Sequence, residues 1–172
     1  MVNKEDLIEE LHQSTHKLLG HLSTFTETEF NFHPAPGKWS AADIAEHLLI
    51  IETRIQGALR GLLSPTERAP EDKLALFKPA LQDRSQTIQA PDAVMPTGAI
   101  KDKKKILDAL EEQRNKLTLA LQTTDLDLTC MDFSHPRLGK LTVVEWVWFN
   151  IYHAQRHIHQ LEELKRSIGA SM

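Results

Sequence analysis

The segment NIYHAQRHIHQ (150–160) places three of the chain's nine histidines within seven positions. An imidazole can take up a proton, donate one, or hold a metal ion through either ring nitrogen. At about 100° per residue along a helix, His153 and His157 stand one turn apart on the same face, and His159 points nearly the opposite way. Trp146, Asn150, Gln160 and Leu164 share the face of the pair, so that face turns inward. Two imidazoles four apart on a helix can reach a single metal ion. A third ligand from a facing helix would complete three protein ligands and leave a position open for water or substrate, the pattern of a catalytic site. His47 is the natural third candidate. It lies beside Ile44, Leu48 and Ile51 in an apolar stripe, where both ring nitrogens need partners.

The plain alternative is three hydrogen-bonded core histidines with no metal. His12 and His16 have the same spacing but sit toward the polar flank of their helix, which shows how little spacing decides alone. His21, His33 and His135 fall at helix ends or in loops and are expected to have no part in a site. Asn150 and Gln160 share the histidine face and are candidates to support the ligands from behind. Asp43 and Arg54, one and two turns from His47, are candidates to meet a substrate at the pocket mouth. No strong general base stands out. Trp39, just before a helix start, reads as a hydrophobic staple. Trp146, Trp148 and Phe149 read as core or a subunit interface. Cys130, the one cysteine, has no CxxC partner and reads as inert. GKWS lacks the glycine pattern of a phosphate loop.

These residues must be positioned by helices. Leu7, Leu11, Leu18 and Leu22 mark a first helix over about 4–22. SAAD (40–43) is a capping box opening a second, with Ser40 as N-cap, which continues through Ile44, Leu48, Ile51, Ile55, Leu59 and Leu62. Ile106, Leu110, Leu117 and Leu121 mark a third, about 101–122. TVVE (142–145) is a second capping box and opens a fourth, running to about Arg166. Residues 64–100 hold five of the eight prolines and allow at most a short helix near Leu74–Leu81, broken or bounded by Pro79. A connection that long implies a crossover. The stretch 129–141 reads as a turn-rich loop, and no strand set is evident. The expected architecture is all-α: one domain over 1–172, a four-helix bundle with a long crossover between helices two and three.

Composition narrows the function. With 41% hydrophobic residues and a net charge of -4, the chain has a core and no electrostatic reason to bind nucleic acid or an anionic membrane. A single cysteine excludes an intrachain disulfide. No signal-peptide core or bilayer-length apolar run is present, so a cytoplasmic protein is expected.

FNFHPAPGKWSAADIAEHLLIIE (30–52), with Pro36, Trp39, Ser40 and His47, resembles the first signature of DinB-like proteins. HPRLGKLTVVEWVWFNIYHAQRHIHQLEEL (135–164), with Gly139, Leu141, Thr142, His153, His157 and Gln160, resembles their second. The resemblance implies a four-helix bundle and a divalent metal held by His47, His153 and His157, the residues that helical phase also selects. It further implies a small-molecule substrate and a homodimer. Relatives include thiol S-transferases, thiol-dependent isomerases and metal-dependent hydrolases. The ion, with zinc or nickel favoured, would activate either water or a low-molecular-weight thiol, and the same ligands suit both. The competing expectation is a non-catalytic metal- or ligand-binding bundle with a structural or stress-related role.

Overall fold

The structure is a computed structural model that describes residues 2–171. Four long helices form the bundle: α1 (Lys4–Ser23), α3 (Ala41–Arg60), α5 (Lys103–Thr123) and α6 (Val143–Ser171). Each long helix starts where a side chain satisfies its free amides. Asn3 accepts from Glu5 N, and Asp102 accepts from Lys105 N. Ser40 and Asp43 exchange reciprocal bonds with each other's backbone, as do Thr142 and Glu145, so both expected capping boxes are present.

The leucine stripe of α1 is fully buried, as are Ile44, Leu48 and Ile55 of α3 and Ile106, Leu110 and Leu121 of α5. Leu62 lies beyond the end of α3 and is exposed, because the helix stops at Arg60. The apolar core falls into two clusters, and their membership gives the direction of every helix. One cluster joins the first half of α1, the last turns of α3 and α5, and the start of α6. The other joins the end of α1, the first turns of α3 and α5, and the end of α6. Helices α1 and α6 are therefore parallel to each other and antiparallel to α3 and α5. The 61–102 connection must carry the chain back along the whole bundle.

Between the two clusters lies a polar layer to which each long helix contributes. Ser14 comes from α1, Glu52 from α3, Gln113 and Arg114 from α5, and His153 and His157 from α6; all are buried. Arg114 and Glu52 are each 1% exposed and form an ion pair at 2.5 Å. Arg114 also donates to Ser14 Oγ and Thr15 Oγ1. Burial pushes the Glu52 carboxyl up even against the pull of Arg114.

The returning connection is ordered by the helices it crosses. It holds a two-residue strand β1 (Leu63–Ser64), helix α4 (Leu74–Gln82) and a 3-10 turn (Asp92–Val94). Helix α4 runs through Pro79 to Gln82 rather than stopping there, and it packs Phe77 and Leu81 into the first core cluster. Arg68 forms a bidentate pair with the buried Glu145, and Arg156 donates to the carbonyls of Asp83 and Gln86. Glu46 accepts from Gly98 N at 2.9 Å and from the Thr97 hydroxyl.

Two further features depart from the sequence expectation. A four-residue helix α2 (Glu27–Phe30), with its own Thr26–Glu29 capping box, buries Phe30 in the second core cluster. The supposed loop 129–141 is largely a hairpin, β2 (Thr129–His135) and β3 (Gly139–Thr142), joined antiparallel to β1 in a three-stranded sheet. Gly139 completes its turn at φ +69°, a conformation that favours glycine. Among the described residues no helix is long and apolar enough to cross a membrane.

The polar layer makes a direct prediction. Arg114→Met leaves the Glu52 carboxylate buried without a counter-charge and should lower unfolding stability by about 3–5 kcal/mol in urea titration. Adding Glu52→Gln should recover a large part of that loss.

Candidate metal centre

Helices α3 and α6 face each other, and three side chains meet between them. His47, His153 and His157 are 2%, 8% and 8% exposed, and one ring nitrogen from each lies within 4.8 Å of the other two. The His153 Nε2 is 3.3 Å from His47 Nε2 and 3.1 Å from His157 Nε2.

The outer nitrogens determine what the inner ones can do. His47 Nδ1 lies 2.7 Å from the Val94 carbonyl, which can only accept, so Nδ1 carries the proton and Nε2 presents a lone pair. His157 Nδ1 lies 2.9 Å from Gln160 Oε1 and is fixed in the same way. Two lone pairs thus face His153 Nε2. A proton there can satisfy only one of them at a time, whereas a cation satisfies all three nitrogens. A tetrahedral ion with metal–nitrogen bonds of 2.0–2.1 Å needs ligand nitrogens about 3.3 Å apart, which these two separations approach. The donor set therefore fits a divalent cation that favours imidazole.

Electrostatics agree. Burial lowers the His47 pKa, partly offset by the Val94 carbonyl. His153 is held well below the usual histidine value by burial first, then by His157 and His47. Burial, followed by the neighbouring His47, pushes His157 down to about 3. All three rings are neutral at pH 7, the state a metal ligand requires. Aromatic rings wall the cluster: Trp39 lies 4.9 Å from His47 and stacks at 6.2 Å over His157, and Phe149 stacks at 5.5 Å on His153.

The other candidates are placed as follows. Gln160 supports His157, and Asn150 is fully buried on the same helix with no partner for either amide atom. The Asp43 carboxylate is occupied by Ser40 N and by His33 Nε2 at 2.7 Å. Arg54 donates to the Ala93 carbonyl, next to the residue that holds His47. His159 sits outside the cluster, 42% exposed and bonded to Glu162, and His12 and His16 are exposed. Trp146 and Phe149 are buried core residues, and Trp148 stacks on Tyr152. Burial pushes the Cys130 thiol up to about 12, which makes it inert.

Sequence reasoning missed the Val94 carbonyl, a backbone group far from His47 in sequence that only the crossover brings near. It also set aside His135, which lies 5.2 Å from Phe149 at the rim of this aromatic wall. The His135 Nδ1 accepts from Arg137 N and Leu138 N, so its proton sits on Nε2 and it cannot act as a base without losing that turn.

The depressed histidines fix the sign of a pH dependence. In the unfolded chain a histidine takes up its proton near pH 6.5, whereas His157 in the folded, metal-free protein does so only at about 3. Between those values the unfolded state binds more protons, so stability is intact above about 6.5 and declines as pH falls toward 3. Denaturant titrations of metal-free protein across this window should show a smaller decline for His157→Gln than for the wild type.

Residues 10–161 match the model of the DinB superfamily. The chain is 26% identical over 152 residues to the uncharacterized protein YuaE of Bacillus subtilis (strain 168), covering 86% of this chain and 90% of that protein. Among solved structures it resembles YfiT from Bacillus subtilis with a TM-score of 0.63 at 19% identity, over 98% of this chain and 91% of that one. YfiT is described as a probable metal-dependent hydrolase with an unusual four-helix bundle topology. The four-helix bundle protein TT2238 matches with a TM-score of 0.60 at 18% identity, over 94% of this chain and 99% of that one. These two likenesses establish the four-helix bundle fold, and the family model extends over both helices that carry the histidine cluster. On that match the chain belongs to the DinB superfamily.

Proposed function

We propose that His47, His153 and His157 bind a divalent cation, zinc or nickel, and that the protein is an enzyme acting on a small molecule as a hydrolase or a thiol S-transferase. One observation carries this reading: three neutral, buried imidazoles converge on one point through Nε2, and two of them are fixed from behind by Val94 and Gln160. Such an ion, held by three protein ligands, supplies Lewis acidity that lowers the pKa of a water or thiol in its remaining position.

The protein's own residues supply orientation and shielding. Val94 and Gln160 hold two rings in the tautomer that directs a lone pair inward. Trp39 and Phe149 cover ring faces of the cluster and keep its surroundings apolar. The buried carboxylates of the bundle are committed elsewhere: Glu46 to the crossover, Glu52 to Arg114, and Glu145 to Arg68 and the start of α6. This leaves no carboxylate among those three to act as a general base and favours thiol activation, which needs none. The relation to YfiT, described as a probable metal-dependent hydrolase, favours water as the nucleophile.

Elemental analysis of protein purified without an affinity tag should find about one divalent ion per chain in the wild type, and far less in His47→Ala and His153→Ala. Equal, substoichiometric metal in all three would refute the site. Metal-loaded protein screened with thiol-plus-electrophile pairs and with ester and amide substrates should show an activity that His153→Ala abolishes. A stoichiometric metal with no activity across both panels would instead support a non-catalytic bundle.

A further inference from the structure

Among the described residues, Asn150 is the buried side chain with two polar atoms that both lack a partner. It is fully buried on α6, and neither its carbonyl oxygen nor its amide nitrogen has a partner. Buried amides are almost always bonded, because leaving one unmade forfeits the water it had in the unfolded chain. A leucine, whose side chain has the same branching and number of heavy atoms, would carry no such cost.

Three residues further along the same helix stands another orphan, His153 Nδ1, also buried and unpartnered. The other two histidines of the cluster have an acceptor for the outer nitrogen, and His153 does not. When His153 Nε2 faces a cation its proton must sit on Nδ1, and that N–H then needs an acceptor. Neighbouring groups do not provide it. Trp146 Nε1, a further unpartnered atom one turn before Asn150, is a donor only, and Gln160 is already used by His157. Phe149 presents only its ring face to His153.

We infer that Asn150 is the positioning residue for His153: its carboxamide oxygen takes the His153 Nδ1–H, directly or through one buried water, once the three Nε2 atoms are bound to a metal ion. A carboxamide suits the task because it carries an acceptor and a donor, and so can serve His153 with the proton on either ring nitrogen. On this account metal binding fixes the His153 proton on Nδ1 and so pairs two buried polar atoms, His153 Nδ1 and Asn150 Oδ1. The inference rests on the metal reading of the histidine cluster.

The test measures zinc affinity by chelator competition alongside thermal stability of the metal-free protein, for wild type, Asn150→Leu and Asn150→Asp. Asn150→Leu should weaken zinc binding about 10–100-fold while the metal-free Tm stays level or rises. Asn150→Asp, which keeps the acceptor, should bind zinc at wild-type affinity or better. In zinc-loaded wild type, the 15N signals of His153 should show a protonated Nδ1. Wild-type zinc affinity in Asn150→Leu would overturn the inference, as would a metal-free Tm that falls along with the affinity, which would mark Asn150 as merely structural. If wild type itself fails to bind zinc or nickel, the metal reading falls instead, so the two failures are distinguishable.

Discussion

The hydrogen bond from His47 Nδ1 to the Val94 carbonyl ties together the two unusual parts of this molecule. It seats a buried imidazole in one tautomer, and it fastens the long return of the chain from one end of the bundle to the other. Without the crossover at that place, His47 would have a bare outer nitrogen in an apolar wall and no reason to present Nε2 to α6. Arg54 reaches the neighbouring carbonyl of Ala93, and Glu46 fastens Thr97 and Gly98, so three side chains of α3 grip the same stretch of the connection. The connection is thus part of the histidine cluster's construction.

The same economy appears in the layer that divides the core. Glu52, Arg114, Ser14, His153 and His157 place polar groups at mid-height on every long helix, where a bundle built for stability alone would continue its leucines. The α3–α5 side of the layer is satisfied internally by an ion pair and hydroxyls. The α3–α6 side is not: two lone pairs face one imidazole nitrogen, and Asn150 and His153 Nδ1 are unpartnered. Polar groups left incomplete in one half of a layer and complete in the other mark where a ligand is expected.

Much of this was legible in the sequence, for reasons that can be named. Ser40–Asp43 and Thr142–Glu145 are local capping patterns, so both helix starts were visible, and the phase they set selected His47, His153 and His157 and excluded His159. The hairpin left a short signal, with half-buried Met131, Phe133 and His135 alternating with exposed Asp132 and Ser134, but no residue of that face is fully buried and the HPRLG turn beside it reads as loop. Helix α2 is a single turn and too short for any period. Pro79 suggested a break in α4, yet the burial of Phe77 and Leu81 against α6 carries the helix through it. Val94 escaped notice because a backbone carbonyl has no residue type to recognise.

Everything proposed for this site turns on three imidazoles, two of α6 and one of α3, binding one divalent ion. X-ray absorption spectroscopy of the zinc-loaded protein tests it most directly. The expected spectrum shows about three imidazole nitrogens at about 2.0–2.1 Å, with the signature of ring scattering, and that shell is lost in His153→Ala. A shell of sulfur or of oxygen alone, or a spectrum unchanged by His153→Ala, would contradict it.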